Sequence, residues 1–243
     1  MIDIHSHIIF GVDDGAKTLA DSIELLKESR RQGVKAIIAT PHRRKDMFDI
    51  DMEIVQNNFN ILKEEAAKNF PDIDIYLGSE VYYKEGELEN IENKKYPTLA
   101  GTDYLLIEYN YGISYRELER SLKGILLLGL TPIIAHIERY ECLAEDPNRV
   151  ANLLNLGCYT QVNAASVLKT KMFGDKHKTY KKRAKYYLDN NFVNFIATDM
   201  HNMKNRKPHL LEAYNIIEKK YGEDVAYDLF IGNQKRLLNN KIV

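Results

Sequence analysis

Short apolar runs rich in branched residues recur along this chain, and the segments between them carry helical periodicity; nothing else in the sequence restricts its possible folds as much. The runs occupy 2–4, 36–39, 73–77, 104–107, 132–135, 159–162 and 193–197. Their length and β-branching favour parallel strands buried on both faces. Leu19, Ile23 and Leu26 mark a first helical face, behind a Thr18-x-x-Asp21 start that resembles a capping box and with Gly33 near its end. Ile54, Phe59, Ile61 and Leu62 mark a second, and Leu118, Leu122, Ile125 and Leu126 a third. Residues 147–156 read as a fourth helix closed by Gly157, 176–189 as a basic amphipathic fifth, and 208–238 as a helical tail broken at Tyr221-Gly222. About seven βα repeats without a linker or low-complexity stretch predict one α/β domain over residues 1–243, a closed or nearly closed β/α barrel. A chain of this length buries roughly 70–75% of its unfolded surface, so it needs neither disulfide nor metal simply to fold.

Polar residues fall where such a fold would use them. The first run leads into His5-Ser-His7, the second to His42, the third to Glu80, the fourth to Glu108, the fifth to His136 and the seventh to Asp199-Met-His201. Asp13 and Asp14 follow in the loop after the first. The carboxyl ends of the strands form the active face of a β/α barrel, so ligands distant in sequence converge there. Alternation along a strand puts His5 and His7 on one side, and Asp199 and His201 likewise if that strand persists. A single strand-end histidine is usually a hydrogen-bonded structural residue. Here five of seven histidines sit at strand ends, with only His177 and His209 in helical stretches.

Imidazole and carboxylate without thiolate suit Mn, Fe, Zn or Co. Five histidines and up to four carboxylates exceed the capacity of one ion, so two or three ions sharing carboxylates are expected. Paired ions of this kind clamp the attacking and departing oxygens of phosphoryl transfer and lower the pKa of a shared water to about 7.

The stretches MIDIHSHIIFGVDDGAK, IIATPHRR, GSEVYY, LLIEY, TPIIAHIERY, GCYTQVNAASV and FIATDMHNMKNRKPH resemble the polymerase-and-histidinol-phosphatase (PHP) family. The resemblance is closest to the manganese-dependent protein tyrosine phosphatases of bacterial capsule and exopolysaccharide operons. It implies a distorted (β/α)7 barrel of the PHP type carrying three metal ions, Mn2+ above all. By that analogy His5, His7, Glu80 and Asp199 hold the first ion. Glu80 bridges to a second, shared with Glu108 and His136, while Asp14, His42 and His201 hold the third. The family's two phosphate-binding arginines fall on Arg139 and Arg206. The implied partner is the autophosphorylated tyrosine-rich tail of a membrane-associated kinase that controls polysaccharide export.

Arg139 lies three residues beyond His136 and Arg206 five beyond His201, so both can reach the site from active-face loops. A guanidinium fork grips phosphate oxygens in bidentate fashion. Arg43, Arg44, Lys45, Lys204 and Lys207 would either ring an anion-binding mouth or be merely solvated charge. Tyr82 and Tyr83 would stack on a substrate phenol or pack in the core. The expected mechanism is attack on phosphorus by metal-bound hydroxide, with a phenol leaving group whose pKa is about 10. The cysteine route to phosphotyrosine hydrolysis needs an arginine six residues after the nucleophile. Asn148 and Ala164 stand six beyond Cys142 and Cys158, so spacing excludes it.

A formal net charge of −1 argues against a nucleic-acid or anionic-membrane partner. With two cysteines, no signal peptide ahead of the first strand and only short apolar stretches, the expected location is the cytoplasm, without membrane insertion. Competing readings keep the fold but take a small phosphomonoester or a nucleic-acid 3′ end, make the chain an amidohydrolase, or make it a metal-stabilised adaptor. Binuclear amidohydrolases often place a carbamylated lysine on a middle strand, where this chain has Glu80 and Glu108.

Overall fold

All seven apolar runs form strands in the computed structural model, which describes residues 1–45, 47–48, 50–144, 146–170 and 174–243. The strands are β1 (Ile2–Ser6), β2 (Ala36–Ala39), β3 (His42–Arg43), β4 (Asp74–Leu77), β5 (Glu80–Tyr82), β6 (Tyr104–Glu108), β7 (Thr131–Ile134), β8 (Tyr159–Asn163) and β9 (Phe195–Ala197). Two of these, β3 and β5, lie outside the predicted runs. They resume β2 and β4 after Thr40-Pro41 and Gly78-Ser79 respectively, and are too short to carry a periodic signal. Yet β3 and β5 begin with His42 and Glu80, two of the candidate ligands.

Hydrogen bonding gives the orders β1-β2-β4 and β3-β5-β6-β7-β8-β9, and every pairing between these strands is parallel. The free flank of β1 meets the segment after β9: Asp199 N–H donates to His5 O at 2.9 Å and His7 N–H to Met200 O at 2.9 Å. The chain is therefore a mixed α/β fold whose parallel sheet curls like a half-barrel.

Two buried clusters follow from strand alternation. Ala36 and Ile38, Tyr104 and Leu106, Ile133 and Ala135, Phe195 and Ala197 join Ile2, Ile4, Leu99 and Leu237 in one. Strands several places apart can share a cluster only if the sheet is concave towards it. The intervening strand residues, among them Ile37, Ile107, Ile134 and Ile196, meet the helices in the other. Helices Leu19–Arg31, Met52–Asn69, Tyr115–Leu127, Pro147–Asn155 and Lys178–Asp189 lie close to the predicted ones. The Thr18–Asp21 capping box forms in both directions.

The tail does more than its helical pattern reveals. Helix Leu210–Tyr221 ends at Gly222, whose φ of 98° lies in the left-handed region that glycine tolerates. Leu237 then enters the inner cluster. Tyr104 Oη–H donates to Lys241 O at 2.7 Å and Tyr159 Oη–H to Val243 O at 3.0 Å, fixing the chain end beneath the sheet. Gly78 is needed for a different reason: a Cβ there would stand 2.9 Å from Leu99 and 3.0 Å from Ile38.

Phe195 is fully buried at the centre of the inner cluster. Phe195→Ala is expected to lower unfolding free energy by about 3–5 kcal/mol, read from the midpoint of a urea titration.

Candidate metal centre

Nine candidate ligands from six separate strand ends meet at one end of the curled sheet. The Nε2 atoms of His5 and His7 lie 3.3 Å apart. His5 Nε2 is 3.3 Å from Glu80 Oε1 and 3.5 Å from Asp199 Oδ1; His7 Nε2 is 3.3 Å from Glu80 Oε2 and 3.4 Å from the same Asp199 oxygen. His136 Nε2 faces Glu80 at 3.0 Å and Glu108 at 3.5 Å. Asp14 Oδ1 lies 3.2 Å from His201 Nε2 and 3.4 Å from His42 Nε2. His42 also turns Nδ1 towards Glu80, at 2.9 Å, so this ring lies between two groups of donors.

These separations are the geometry of shared cations. Ligand atoms bound about 2.1 Å from one ion stand about 3.0–3.4 Å from each other. The tautomers agree. Asp13 carboxylate can only accept from His7 Nδ1–H, at 2.7 Å, and Gln161 Oε1 accepts from His5 Nδ1–H at 3.1 Å while also accepting from His136 N–H. Both Nε2 lone pairs are thus aimed inward, held by the outer nitrogen in the usual manner of metal-binding imidazoles. His201 Nδ1–H donates likewise to Asp199 O at 3.0 Å. His42 Nδ1, Glu80 Oε2 and His201 Nε2 are buried without a hydrogen-bond partner among the described residues. Divalent cations bound in the two neighbouring groups of donors would supply partners for these atoms.

Charge tells the same story. Burial alone would neutralise His5, but Glu80 and Asp199 outweigh it and hold its pKa above the ordinary value; Asp13 acts similarly on His7. Burial, reinforced by Arg139, instead drives His136 down to about 4, and burial with neighbouring His7 does the same to His201. Burial and the adjacent Glu80 push Glu108 up to about 7. Protons are thus shared unevenly among crowded groups, an arrangement that cations relieve by displacing them.

Local backbone aims several of these side chains. Beyond β7 and β9 the expected alternation fails: His136 and Asp199 adopt φ of 34° and 52°, in the left-handed region where non-glycine residues are uncommon. Asp199 and His201 converge because the chain turns after β9, and strand periodicity plays no part. Gly15 lets the loop after β1 fold back, since a Cβ there would lie 2.2 Å from His7 O.

Both predicted arginines reach the centre. Arg139 Nη2–H donates to Asp199 Oδ2 at 2.8 Å and Arg206 Nη2–H to Asp199 Oδ1 at 2.7 Å, from two different loops. The other cations divide. Lys45, Lys204 and Lys207 are exposed, whereas Arg43 is buried and donates to Ile50 O at 2.8 Å. Tyr83 packs on Tyr109 in the core, and Tyr82 lies beneath Arg44, whose guanidinium is 4.1 Å from its ring centroid.

Several supporting residues had no assigned role in the sequence reading. Asp13 orients His7 and accepts from His42 N–H at 3.0 Å. Gln161 and Asn163 share one face of β8, and Asn163 Nδ2–H donates to Asp199 Oδ2 at 2.7 Å. Asn202 Oδ1 collects the N–H groups of Lys204, Asn205 and Arg206. Gln161 and Asn163, two apart around Val162 in a buried strand, were the available signal.

A family model described as "Capsular polysaccharide synthesis, CpsB/CapC" matches residues 1–239. The chain is 48% identical over 243 residues to the tyrosine-protein phosphatase CpsB of Streptococcus agalactiae serotype V, covering 100% of both. It is 46% identical, with the same coverage, to the tyrosine-protein phosphatase CpsB of Streptococcus pneumoniae. A solved structure from work on YwqE of Bacillus subtilis and CpsB of S. pneumoniae, described as unique metal-dependent tyrosine phosphatases, superposes with a TM-score of 0.89 at 32% identity, covering 100% of this chain and 96% of that one.

Replacing Asp13 with Asn should weaken divalent-cation affinity about 10–100-fold, because the Nδ1 side of His7 loses its charged partner. Calorimetric titration with Mn2+ checks this; unchanged affinity would remove Asp13 from the support of the centre.

Proposed function

Because the chain belongs to the CpsB/CapC family of capsular polysaccharide synthesis proteins, we propose that it hydrolyses phosphotyrosine at the cluster around Glu80 and Asp199. It is a metal-dependent protein tyrosine phosphatase, a phosphoric monoester hydrolase of capsule synthesis. The observation that carries this reading is the meeting of imidazoles, carboxylates and two arginine forks at one end of the sheet.

We assign His5, His7, Glu80 and Asp199 to one ion, Glu80, Glu108 and His136 to a second, and Asp14, His42 and His201 to a third; donor atoms of His7 also lie close to the last set, and those of His42 to Glu80 and Glu108. Glu80 would be shared by the first two. Nitrogen and oxygen donors without sulfur suit Mn2+, with Fe, Co or Zn as alternatives. Bound ions would supply Lewis acidity, offsetting phosphoryl charge and lowering the pKa of water towards neutrality. The fold we assign to the single domain is a distorted (β/α)7 barrel, counting β2 with β3 and β4 with β5 as interrupted staves.

This chain's own residues bind and orient the substrate. Arg139 and Arg206 converge on the two oxygens of Asp199, which sets two guanidinium groups beside one another at the edge of the cluster. A phosphoryl group there would be gripped from two sides, and the charge it gains in the transition state would be met by fixed donors. The phenolate of tyrosine leaves readily enough that no strong proton donor is required. Neither cysteine is suited to attack. Both are buried, and burial pushes the Cys158 thiol up to about 12.

The substrate we assign is the autophosphorylated tail of a membrane-associated kinase, met in the cytoplasm. No helix among the described residues is long and apolar enough to cross a membrane. Lys45 and Lys204 are exposed and lie within three residues of the ligands His42 and His201, where their charge would attract a phosphorylated, acidic peptide.

Chelation should abolish hydrolysis of a phosphotyrosine peptide and Mn2+ should restore it, while thiol alkylation leaves the rate nearly unchanged. Activity that survives chelation but not alkylation would overturn the reading. Arg206→Ala should lower kcat by roughly 100- to 1,000-fold with metal content intact. The loop survives that change because Asn202 and the Arg206 backbone hold it, including His201 N–H on Arg206 O at 3.0 Å. Loss of bound metal alongside the rate would make Arg206 structural.

A further inference from the structure

The two arginines explain how a phosphate is held, but not how an aryl phosphate is told from an alkyl one. Several aromatic rings lie near the mouth, and most are already engaged. Tyr140 is fully buried, Tyr83 packs on Tyr109, Tyr82 is covered by Arg44, and Phe48 is stacked on His42 with centroids 5.1 Å apart.

Tyr111 differs. It lies three residues beyond Glu108, and 42% of its surface is open, a high value for a tyrosine tied in place at both ends. Arg139 Nη1–H donates to its hydroxyl at 3.1 Å, and its carbonyl accepts from Glu141 N–H at 3.3 Å. The ring stands edge-on to His136, with centroids 6.3 Å apart and planes at 86°, and is tilted against Tyr140 at 6.3 Å. One guanidinium therefore joins the centre to this phenol, with Nη2 on Asp199 and Nη1 on Tyr111. The ring is oriented before any substrate arrives, which limits the entropy lost on binding.

Resting on the phosphotyrosine reading, we propose that Tyr111 is the specificity-determining residue that recognises the aryl ring of the substrate. A phosphoryl group gripped by Arg139 brings its ester substituent alongside the exposed part of this ring. A phenyl substituent gains offset or edge-to-face contact there, whereas an alkyl chain has no π face to offer. Tyr111 acts on binding preference and takes no part in bond breaking.

Phenylphosphonate and methylphosphonate separate ring recognition from leaving-group chemistry, since neither is hydrolysed. Calorimetric Kd values for both should be measured on the Mn2+-loaded wild type, Tyr111→Phe, Tyr111→Leu and Tyr111→Trp. Phe and Leu both lack the hydroxyl that holds Arg139, so the difference between them isolates the ring. Tyr111→Leu should lose about tenfold of the phenyl-over-methyl preference relative to Tyr111→Phe, with methylphosphonate affinity equal in the two. Tyr111→Trp should keep the preference. Equal phenyl-over-methyl ratios in the Phe and Leu variants would overturn the assignment and leave Tyr111 only as a prop for Arg139. A wild type that turns over no phosphotyrosine peptide would instead sink the functional reading, whatever those ratios are.

Discussion

Glu80 is the constraint around which the rest is arranged. Its carboxylate is fully buried, yet its two oxygens lie within 3.3 Å of nitrogens from His5, His7, His42 and His136. Asp199 and Glu108 are also mostly buried nearby. Carboxylates crowded at low dielectric repel strongly, and isolating any one of them from water is costly. Such a cluster persists only if positive charge is shared through it. Imidazolium protons do part of this, as the opposed shifts of His5 and His136 indicate, and divalent cations do it better.

The scaffold is organised to hold this crowding rigid. The parallel strands end at one rim, and an outer row of polar side chains fixes the rings from behind: Asp13 on His7, Gln161 on His5, Asn163 on Asp199. The left-handed backbone at His136 and Asp199 is strain at the centre itself, tolerated because buried packing on both sides determines it. Well below the rim, the inner apolar cluster and the anchored chain end give the strands a fixed floor.

Two features of the centre suit phosphoryl transfer better than the hydrolysis of neutral amides. Arg139 and Arg206 supply fixed positive donors beside the cluster, of a kind that neutral amides do not require. The middle strands contribute the carboxylates of Glu80 and Glu108, not a lysine open to carbamylation. The aromatic side of the mouth is set by Tyr111, tied to Arg139, which links phosphate grip and ring recognition through a single guanidinium.

Much of this was legible along the chain. Strand runs, helix spans, the Thr18 cap and the break at Gly222 are local and depend on residues within a few positions of each other, whereas the second helix buries Val55, Phe59, Leu62 and Ala66 and leaves the predicted Ile54 and Ile61 exposed. The candidate ligands that converge were legible too, because imidazoles and acids at the ends of apolar runs are conspicuous and the motifs around them are distinctive. Strands β3 and β5 were not, since two or three residues following Thr40-Pro41 or Gly78-Ser79 carry no period. Nor was the turn that brings Asp199 and His201 together, or the burial of Arg43 among its basic neighbours. Sequence determined which donors exist and roughly where each strand ends. Only tertiary structure decided which nitrogen faces inward, how closely four imidazoles approach Glu80 and which tyrosine Arg139 holds, because those depend on angstrom-scale approaches between residues far apart in the chain, and local propensity contains no term for them.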